Sequence, residues 1–461
     1  MGVEMTNNQK RIYRDDFGEV EIPEGRKWGM QTQRSLENFA MGSETMPLAL
    51  IHAYALVKKA TAKTNHELGK LTDEKAEQIQ VICDEIVAGK WDAEFPLSVW
   101  QTGSGTQTNM NINEVIANLV NEPLAEALVH PNDDVNMGQS TNDTFPTAMH
   151  VSGVLQIEGE LLPVLERFVS TLDELESKYQ NTVKLGRTHL QAATPMTFGQ
   201  EVSGWKTMIQ QNIVMIKMAL DPLRLLPLGG TAVGTGLNTP PEFGWIATGF
   251  ISEWSGSHFE ENGNKFHGLA SKDAIVFAHG AVNTLAVNAM KIANDIRWLA
   301  SGPRGGMGEI TIPANELGSS IMPGKINPTQ AEALTMICTQ VMGNNTTISI
   351  AGSQGNFELN AYMPVIAYNF LQSIQLLADG LDSFNKKCLS GLQANEDKML
   401  ETVQQSLALV TALSPHIGYE NASKIAQKAE QEGTTLKEAA LELGVVSEEE
   451  FDDYTDVNKM I

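Results

Sequence analysis

The sequence predicts a mainly α-helical protein built around a central bundle of long helices. Between residues 144 and 392, five stretches repeat apolar residues at intervals of three and four, which is the spacing of one helix face. Several of these stretches exceed about 25 residues, or roughly 40 Å at 1.5 Å per residue. Ala, Met and Asn occupy more than one face, so each helix needs several neighbours. We therefore expect other copies of the chain to cover the bundle, rather than a monomer with a thick N-terminal cover.

A mixed segment precedes the five helices, and a short acidic piece follows them. The helices are predicted at about 147–178, 197–225, 272–300, 328–352 and 356–390. Pro146 stands near the start of the first, as proline does at helix N-termini. Residues 226–244 read as a Gly/Pro/Thr loop, and residues 424–461 as small helices and turns. Ser447, followed by Glu450, is typical of a helix start.

Composition and charge restrict the partners of the protein. The chain has 461 residues, of which 42% are hydrophobic, and a net charge of −24. A surface this acidic argues against nucleic acid or an anionic membrane as partner, since both require a basic face. The apolar runs end before the ~18 to 20 residues that cross a bilayer. Residues 1–14 are polar and lack an apolar signal core, so we expect a soluble, cytoplasmic protein.

The three cysteines do not have the spacing of a disulfide framework. Cys83, Cys338 and Cys388 are far apart, odd in number and outside any Cys-x-x-Cys pair, so reduced buried thiols are expected. A three-cysteine iron–sulfur cluster is the alternative. It is disfavoured because Cys338 and the region of Cys388 lie in helical patterns at core positions, and no cysteine is flanked by Gly or Pro.

The segment richest in candidate catalytic and binding groups lies just before the fourth long helix. It reads Gly318-Ser319-Ser320-Ile321-Met322-Pro323-Gly324-Lys325-Ile326-Asn327-Pro328. Two hydroxyls and a lysine precede a helix in which Asn327 is the expected N-cap and Pro328 the first residue, an arrangement that suits an anion. Upstream, residues 301–315 have the Gly and Pro content of a segment able to close over a ligand. A phosphate-binding loop is excluded, because the glycine spacing is wrong and Ile326 stands where a hydroxyl is required.

Three further polar segments carry hydroxyl, amide and imidazole groups beside glycine or proline. They are Thr102-Gly103-Ser104-Gly105-Thr106-Gln107 before a helix expected near Asn109, the run from His130 to Asp143, and Gly186-Arg187-Thr188-His189-Leu190-Gln191. Taken alone, the first is a capped helix start and the second a turn rich in Asx residues. A histidine in a loop between bundle helices is a candidate for proton transfer, because its ordinary pKa is near 6.5.

The four segments, in this order, closely resemble class II fumarase (fumarate hydratase), a family of the fumarase/aspartase superfamily. The resemblance covers nearly the whole chain. Aspartase-like chains have glutamine where this chain has His189, and argininosuccinate lyases carry Met-Pro-Gln-Lys-Lys-Asn where it has Met-Pro-Gly-Lys-Ile-Asn. Ala192 is a departure, since the family usually has aspartate there, and it puts local packing or rate in doubt rather than the reaction.

The resemblance implies a fold, an assembly and a set of site residues. It implies a three-domain fold, with boundaries at 1–139, 140–395 (catalytic loop 301–327) and 396–461, and a homotetramer with a twenty-helix core and sites built from three subunits. Ser319 is then the base, and His189, oriented by Glu332, exchanges a proton with water. The implied substrate-binding residues are Ser104, Gly105, Thr106, Asn111, Ser140, Thr141, Asn142, Thr188, Ser320, Lys325, Ile326 and Asn327. A second anion site is implied at His130, Asn132 and Asp133.

The implied reaction is the reversible hydration of fumarate to (S)-malate, with no metal or other cofactor. Removing a proton beside a carboxylate creates a charge that Lys325, Asn327 and Asn142 are suited to stabilise. The alternatives are an aspartate ammonia-lyase of the same superfamily, a catalytically silent structural member of the fold, and an iron–sulfur hydratase.

Overall fold

Helices dominate the chain, as the sequence predicts. A computed structural model describes residues 10–15 and 18–461, and in these residues it has seventeen α-helices, α1 to α17, and ten short strands, β1 to β10. The helices are Met30–Asn38, Leu48–Glu67, Asp73–Val87, Thr106–Asn121, Thr141–Gln156, Leu162–Lys178, Phe198–Leu223, Phe243–Ser255, Lys265–Ala270, Asp273–Leu299, Thr329–Gly352, Met363–Lys387, Glu396–Gln404, Val410–Ile417, Tyr419–Glu432, Leu436–Glu442 and Glu448–Tyr454.

The strands form small two-stranded sheets. In chain order they are Lys10–Asp15, Gly18–Pro23, Val183–Thr188, Gln191–Thr197, Leu225–Leu226, Glu260–Glu261, Ile310–Thr311, Gly355–Asn356, Leu359–Asn360 and Gln393–Ala394. The pairs β1/β2, β3/β4, β8/β9 and β7/β10 are antiparallel, whereas β5/β6 is parallel. The β3/β4 hairpin is the one that carries predicted site residues, Thr188 and His189.

The described chain divides into two compact units. The first unit contains the chain up to Pro163 together with Ile213–Ala286 and Thr339–Ala378. The second unit contains Val164–Asn212, Val287–Cys338 and Asp379–Ile461. The predicted site segments around Thr106 and Asn142 belong to the first unit, whereas His189 and the Gly-Ser-Ser loop belong to the second. The division into three domains stays a prediction.

The long helices lie where the apolar periodicity predicts them. Helices α7, α10 and α11 begin and end within two residues of the predicted bounds. The predicted apolar stripe of α10 is buried along its whole length, at Ile275, Ala278, Val282, Leu285, Ala289, Ile292, Ile296 and Leu299. By length and composition alone α10 could also cross a membrane, but half of that apolar window is buried inside the protein, as in a core helix.

Two predicted helix starts are wrong. The first long helix begins at Thr141 instead of about 147, because the Ser140 and Asp143 side chains form a capping box there. Pro146 therefore lies inside α5, which continues through a π-helical turn at Ile157–Leu161 into α6. The fifth begins at Met363 instead of about 356, because β8 and β9 form a hairpin in which Phe357 has a φ of 51°.

Other predicted boundaries shift by one to three residues. Helix α4 begins at Thr106 rather than near Asn109, and α11 begins at Thr329, so that Pro328 rather than Asn327 caps it. The predicted start at Ser447 is confirmed, since its side chain forms a capping box with Glu450. The loop after α7 ends at Phe243, where α8 begins.

Apolar side chains remain exposed on the long helices of the single chain. They are Val214, Met215 and Met218 on α7, Phe277, Val287 and Trp298 on α10, and Met336 and Ile350 on α11. Each of these helices also has a buried face. The helices are therefore apolar on more than one side, as their composition indicates.

The C-terminal helices pack around the hairpin in the second unit. A buried cluster contains Leu185 of β3 together with Val403, Leu413, Ile425 and Phe451 from helices α13 to α17. Burying these apolar side chains stabilises the fold. The acidic C-terminal piece thereby supports the base of the hairpin that carries His189.

Candidate active site

Two glycines precede α4 at positions where the backbone packs too closely against its neighbours for a side chain. Gly105 precedes the helix with a φ of 76°, and a Cβ there would lie 2.2 Å from the Phe145 ring. A Cβ on Gly103 would lie 1.5 Å from the carbonyl oxygen of Ala361. The first-turn N–H groups of a helix have no partner within it. The N–H groups of Thr106 and the next residue are thus suited to binding a carboxylate.

The predicted binding side chains near this helix start differ in solvent exposure. The hydroxyls of Ser104 and Thr106 are 2.8 Å apart and hydrogen-bond each other. Both residues are half-buried, so the pair is accessible from outside the chain. Asn111, by contrast, is buried, and its Nδ2 donates to the carbonyl oxygen of Glu94 at 3.0 Å. The structure therefore places Asn111 inside the first unit, away from solvent.

The start of α5 holds the next three predicted residues in one turn. The Ser140 hydroxyl oxygen accepts the N–H of Asn142 at 3.2 Å. The Asn142 Nδ2 donates to the carbonyl oxygen of Ala232 at 2.8 Å. The Thr141 hydroxyl oxygen accepts from Nδ2 of Asn109 at 2.9 Å, and this bond links the starts of α4 and α5. The structure brings these two segments together, although more than 30 residues separate them.

The predicted second anion site is an exposed helical turn. The His130 Nδ1 accepts the N–H groups of Asn132 and Asp133, at 3.3 and 3.1 Å, and so caps the π-helical turn Pro131–Val135. The Asp133 Oδ2 lies 3.2 Å from the same nitrogen. Nδ1 is therefore engaged within the turn, and the Asp133 carboxylate adds negative charge beside it.

Thr188 and His189 stand at the tip of the β3/β4 hairpin. Thr188 pairs with Gln191, so His189 and Leu190 form a two-residue turn, with φ values of 58° and 61°. Such turns favour Asn and Gly, because a Cβ makes the left-handed conformation costly by roughly 1 kcal/mol per residue. Both side chains are exposed. A strained, exposed histidine at a hairpin tip is a candidate for function.

A buried ion network fixes the base of this hairpin. Glu309 is fully buried, and its carboxylate pairs with Arg187 and, at 3.7 Å, with Lys184 Nζ. Lys184 is also buried and lies 3.0 Å from a Glu201 carboxylate oxygen. Ala192 pairs with Arg187 in the hairpin. The network holds the arm of the hairpin rigid up to the residue before Thr188.

The Gly-Ser-Ser loop places two backbone donors on a serine oxygen. The Ser319 Oγ accepts the N–H of Ile321 at 3.2 Å and the N–H of Met322 at 3.1 Å. Two donated hydrogen bonds stabilise negative charge on an oxygen. Ser319 is half-buried and Ser320 is exposed. The loop can therefore favour the ionised form of the Ser319 hydroxyl.

The two ends of this loop are fastened together. The Asn327 Nδ2 donates to the carbonyl oxygen of Gly318. A Cβ on Gly318 would lie 1.8 Å from the carbonyl oxygen of Lys325, so only glycine fits. Gly324 has a φ of 81°, which allows the turn before Lys325. The loop is thus closed on itself, while its apolar side chains Leu317, Ile321 and Ile326 are exposed.

A cavity of about 770 Å³ opens beside the loop within the second unit. Arg297 and Lys325 line it together with Asn327, Ile326 and Trp298. Two cations and an amide in one cavity suit a small anion, because local charges outweigh a distant, screened surface charge. The predicted groups Lys325, Ile326 and Asn327 are therefore together at one cavity.

The residues predicted to transfer protons do not contact one another through hydrogen bonds in the described chain. In the described part of the chain, no hydrogen bond joins His189, Ser319 and Glu332, although all three belong to the second unit. The Glu332 side chain is exposed in the first turn of α11. The three cysteines are buried and free. Over residues 10–15 and 18–461, no group of three His, Cys, Asp or Glu side chains could hold a metal ion.

Sequence reasoning missed the buried polar residues behind the site. Lys58 and Asp143 are fully buried, and both connect to the α4 and α5 starts. Glu309 anchors the hairpin. Lys58 follows Ala55-Leu56-Val57 in an apolar run of α2, and a lysine in such a run is the available signal. Asp143 was visible as the fourth residue of a capping box.

Comparison with known proteins identifies relatives over nearly the full length. A family model described as "Lyase" matches residues 18–343, and one described as "Fumarase C C-terminus" matches residues 409–461. The chain is 57% identical to fumarate hydratase class II of Bacillus anthracis over 98% of each chain. It is 56% identical to that of Helicobacter pylori strain J99, over 98% of this chain and 99% of the relative. A crystal structure of class II fumarase from Schistosoma mansoni superposes with a TM-score of 0.95 at 42% identity, covering 98% and 99%.

Proposed function

This chain belongs to the class II fumarate hydratase family, and on that premise we propose that it catalyses the reversible hydration of fumarate to (S)-malate. Identity of 54 to 57% over the whole chain to relatives named for that activity supports the reaction. The contact that carries the chemistry is the pair of backbone N–H groups donated to Ser319 Oγ, because it supplies what an alkoxide base requires.

The substrate is a dianion, and its two carboxylates need separate anchors. The α4 start, with Thr106 and Ser104, and the α5 start, with Ser140 and Thr141, supply N–H groups and hydroxyls for this purpose. Gly105 contributes backbone, and Thr188 and Ser320 contribute hydroxyls. Asn111 acts from behind the helix start, since its amide nitrogen is engaged with Glu94.

Proton removal is the difficult step in the malate direction. The Ser319 alkoxide takes the proton from the carbon beside one carboxylate, and the electron pair moves onto that carboxylate. A hydroxyl is too weak a base in its neutral form, so its ionised form must be stabilised. Lys325, Asn327 and Asn142 stabilise the developing charge, and one such donor is worth ~3 to 4 kcal/mol in comparable sites.

The second proton belongs to the departing hydroxyl. His189 delivers it in the malate direction and removes it from water in the other direction, so the same group activates water for hydration. Glu332 orients the ring by accepting its second N–H. No cofactor takes part in the steps proposed here.

We also propose that the active protein is a homotetramer in which several copies complete each site. The exposed apolar side chains on α7, α10 and α11 support this, because large exposed apolar patches are typical of interfaces. The lack of a hydrogen bond between His189 and Glu332 within the described chain supports it too. His130, Asn132 and Asp133 remain proposed as a second anion site. Three buried free thiols support a cytoplasmic location.

A direct assay tests the reaction. Purified protein, dialysed against a chelator, is mixed with malate and then, in a separate cuvette, with aspartate, and the ultraviolet absorbance of fumarate is followed. We expect absorbance to rise with malate and to stay flat with aspartate. Fumarate and ammonia from aspartate, without turnover of malate, would contradict the proposed function and indicate an ammonia-lyase.

A further inference from the structure

A buried ammonium group lies behind the two helix starts of the first unit. Lys58, on α2, is fully buried. Its Nζ donates to Asn136 Oδ1 and to Gln139 Oε1, both at 2.9 Å. It also lies 5.4 Å from the centroid of the Tyr54 ring. These contacts explain how a lysine is accommodated inside an apolar core, since buried charges require hydrogen-bonding partners.

Lys58 determines which way the Asn136 amide faces. An ammonium group only donates, so Asn136 must present its oxygen to Lys58. The same oxygen accepts from Nδ2 of Asn109 at 3.1 Å and from Nδ2 of Asn113 at 3.3 Å. Asn109 also donates to the Thr141 hydroxyl. A chain of bonds therefore runs from Lys58 through Asn136 and the first turn of α4 to the first residue of α5.

Asp143 is the buried anion of the same network. Its Oδ1 accepts the N–H of Ser140 at 3.0 Å, and its Oδ2 accepts those of Gly229 and Thr231 at 3.0 and 2.9 Å. Burial raises the pKa of Asp143 to about 6, while the Lys58 charge acts in the opposite direction. Asp143 thus ties the start of α5 to the loop after α7. The two opposite charges partly offset each other's desolvation.

We propose that Lys58 and Asp143 are positioning residues for catalysis, which hold the α4 and α5 starts, and with them Thr106, Thr141 and Asn142, at the spacing that a C4 dicarboxylate needs. The inference rests on the proposed function, because it assigns substrate binding to these helix starts. Neither residue touches the substrate. Their effect is geometric, because losing either group lets the helix starts shift, and with them the groups that bind the two carboxylates.

The first unit contains a matched control for Lys58. Lys272 is also buried, and burial lowers its pKa to about 7, as it does for Lys58. Its Nζ donates to the carbonyl oxygens of Gly268, Leu269 and Ser271, all close in sequence. Lys272 therefore closes the end of α9 and has no bond to the network of Lys58. The two lysines share burial but differ in what they hold.

The experiment compares Lys58→Met with Lys272→Met in the full-length enzyme, using fumarate hydration. We expect Lys58→Met to raise KM for fumarate by about 10-fold and to lower kcat by less than about 3-fold, because it weakens binding of both carboxylates. Lys272→Met is expected to leave KM within about 2-fold of wild type, even if both variants melt at a similarly reduced temperature. Partial unfolding alone would not raise KM while leaving kcat nearly unchanged.

A second variant keeps the inference testable if Lys58→Met does not fold. Asn109→Ala removes the bond to Thr141 and leaves the Lys58 ammonium paired with Asn136 and Gln139. It is expected to raise KM for fumarate by about 3-fold or more, the loss of roughly one hydrogen bond. A wild-type KM in Asn109→Ala, or equal KM values in Lys58→Met and Lys272→Met, would overturn the inference. Failure of the wild-type enzyme to hydrate fumarate would overturn the proposed function instead.

Discussion

Two regions of this molecule carry the predicted site residues, and they are built in opposite ways. The helix-start region, residues 104–106 and 140–142, rests on buried side chains that hydrogen-bond one another. The hairpin and loop region, residues 187–190 and 318–327, is exposed at its tips and contains left-handed residues. The proposed binding groups of the first unit thus stand on a buried, hydrogen-bonded support, whereas the groups proposed for proton transfer stand on exposed segments of the second unit. This difference supports the proposal that the groups on the exposed segments meet their partners on another copy of the chain.

The largest effect expected in the hairpin and loop region comes from the buried carboxylate of Glu309. Glu309→Gln leaves Arg187 and Lys184 without their buried carboxylate, so it should lower the free energy of unfolding by about 3 to 5 kcal/mol. The midpoint of urea unfolding measures this loss. Asp382→Asn is the control, because its partners Arg167 and Lys386 are exposed. A similar midpoint for the two variants would show that Glu309 does not support the hairpin.

The next effect concerns the proton-transfer groups themselves. Ser319→Ala and His189→Asn should each lower kcat at least ~10²-fold, about 2.7 kcal/mol, with little change in melting temperature, because both side chains are on projecting segments. Steady-state assays in both directions measure it. His258→Asn, an exposed histidine paired with Glu260, is the control and should keep normal turnover. Near-normal kcat in either site variant would remove that residue from its assigned role.

A smaller effect on kcat distinguishes tight packing at the ends of the Gly-Ser-Ser loop from strain in its backbone. Gly318→Ala brings a methyl group against the carbonyl oxygen of Lys325, so the loop cannot keep its shape, and kcat should fall by about 10-fold or more. Gly324→Ala has nothing within 4 Å of the added Cβ and meets only the strain of φ 81°, roughly 1 kcal/mol. We therefore expect it to lower kcat less. Equal losses in kinetic assays would contradict the tight packing inferred at Gly318.

The smallest effect probes the helix-start region through pH. Burial lowers the pKa of Lys58 from its usual value to about 7, so between pH 7 and 9 the unfolded chain holds a proton that the folded chain has lost. Stability then rises with pH over this window. The stability of wild type relative to Lys58→Met should increase from pH 7 to pH 9, as measured by urea midpoints. A constant or falling difference would contradict the lowered pKa of the buried Lys58 side chain.

Much of the helical architecture follows from sequence because periodicity is a local signal with many repeats. The core stripe of α10 and the capping box at Ser447 are examples in which each residue's environment depends on its helix neighbours. The hairpin at 355–360 was missed because helix-forming residues follow it directly, and its turn depends on Phe357 in a left-handed conformation. Apolar periodicity does not report such turns.

The site residues differ in the same way: those in local motifs could be predicted from sequence, and those whose role depends on tertiary contacts could not. Motif residues such as Ser319 and His189 were identifiable because short polar segments beside glycine stand out from an apolar chain. Lys58 was not, because its role depends on Asn136 and Asn109, which lie 78 and 51 positions away in the chain and meet only after folding. Asn111 is the opposite case: its type and spacing predict binding, whereas its side chain is buried and donates to the carbonyl oxygen of Glu94.

The central claim is that different copies of the chain supply Ser319 and His189 to one site. Co-expression of Ser319→Ala and His189→Asn chains with different affinity tags, followed by purification of the mixed assembly, tests it most directly. Random assembly gives about a quarter of the sites both intact groups if they come from different copies. We predict that the mixed enzyme recovers activity on this order, whereas a mixture of Ser319→Ala with Lys325→Met, two changes in one loop, does not. A mixed assembly no more active than either variant alone would contradict the account.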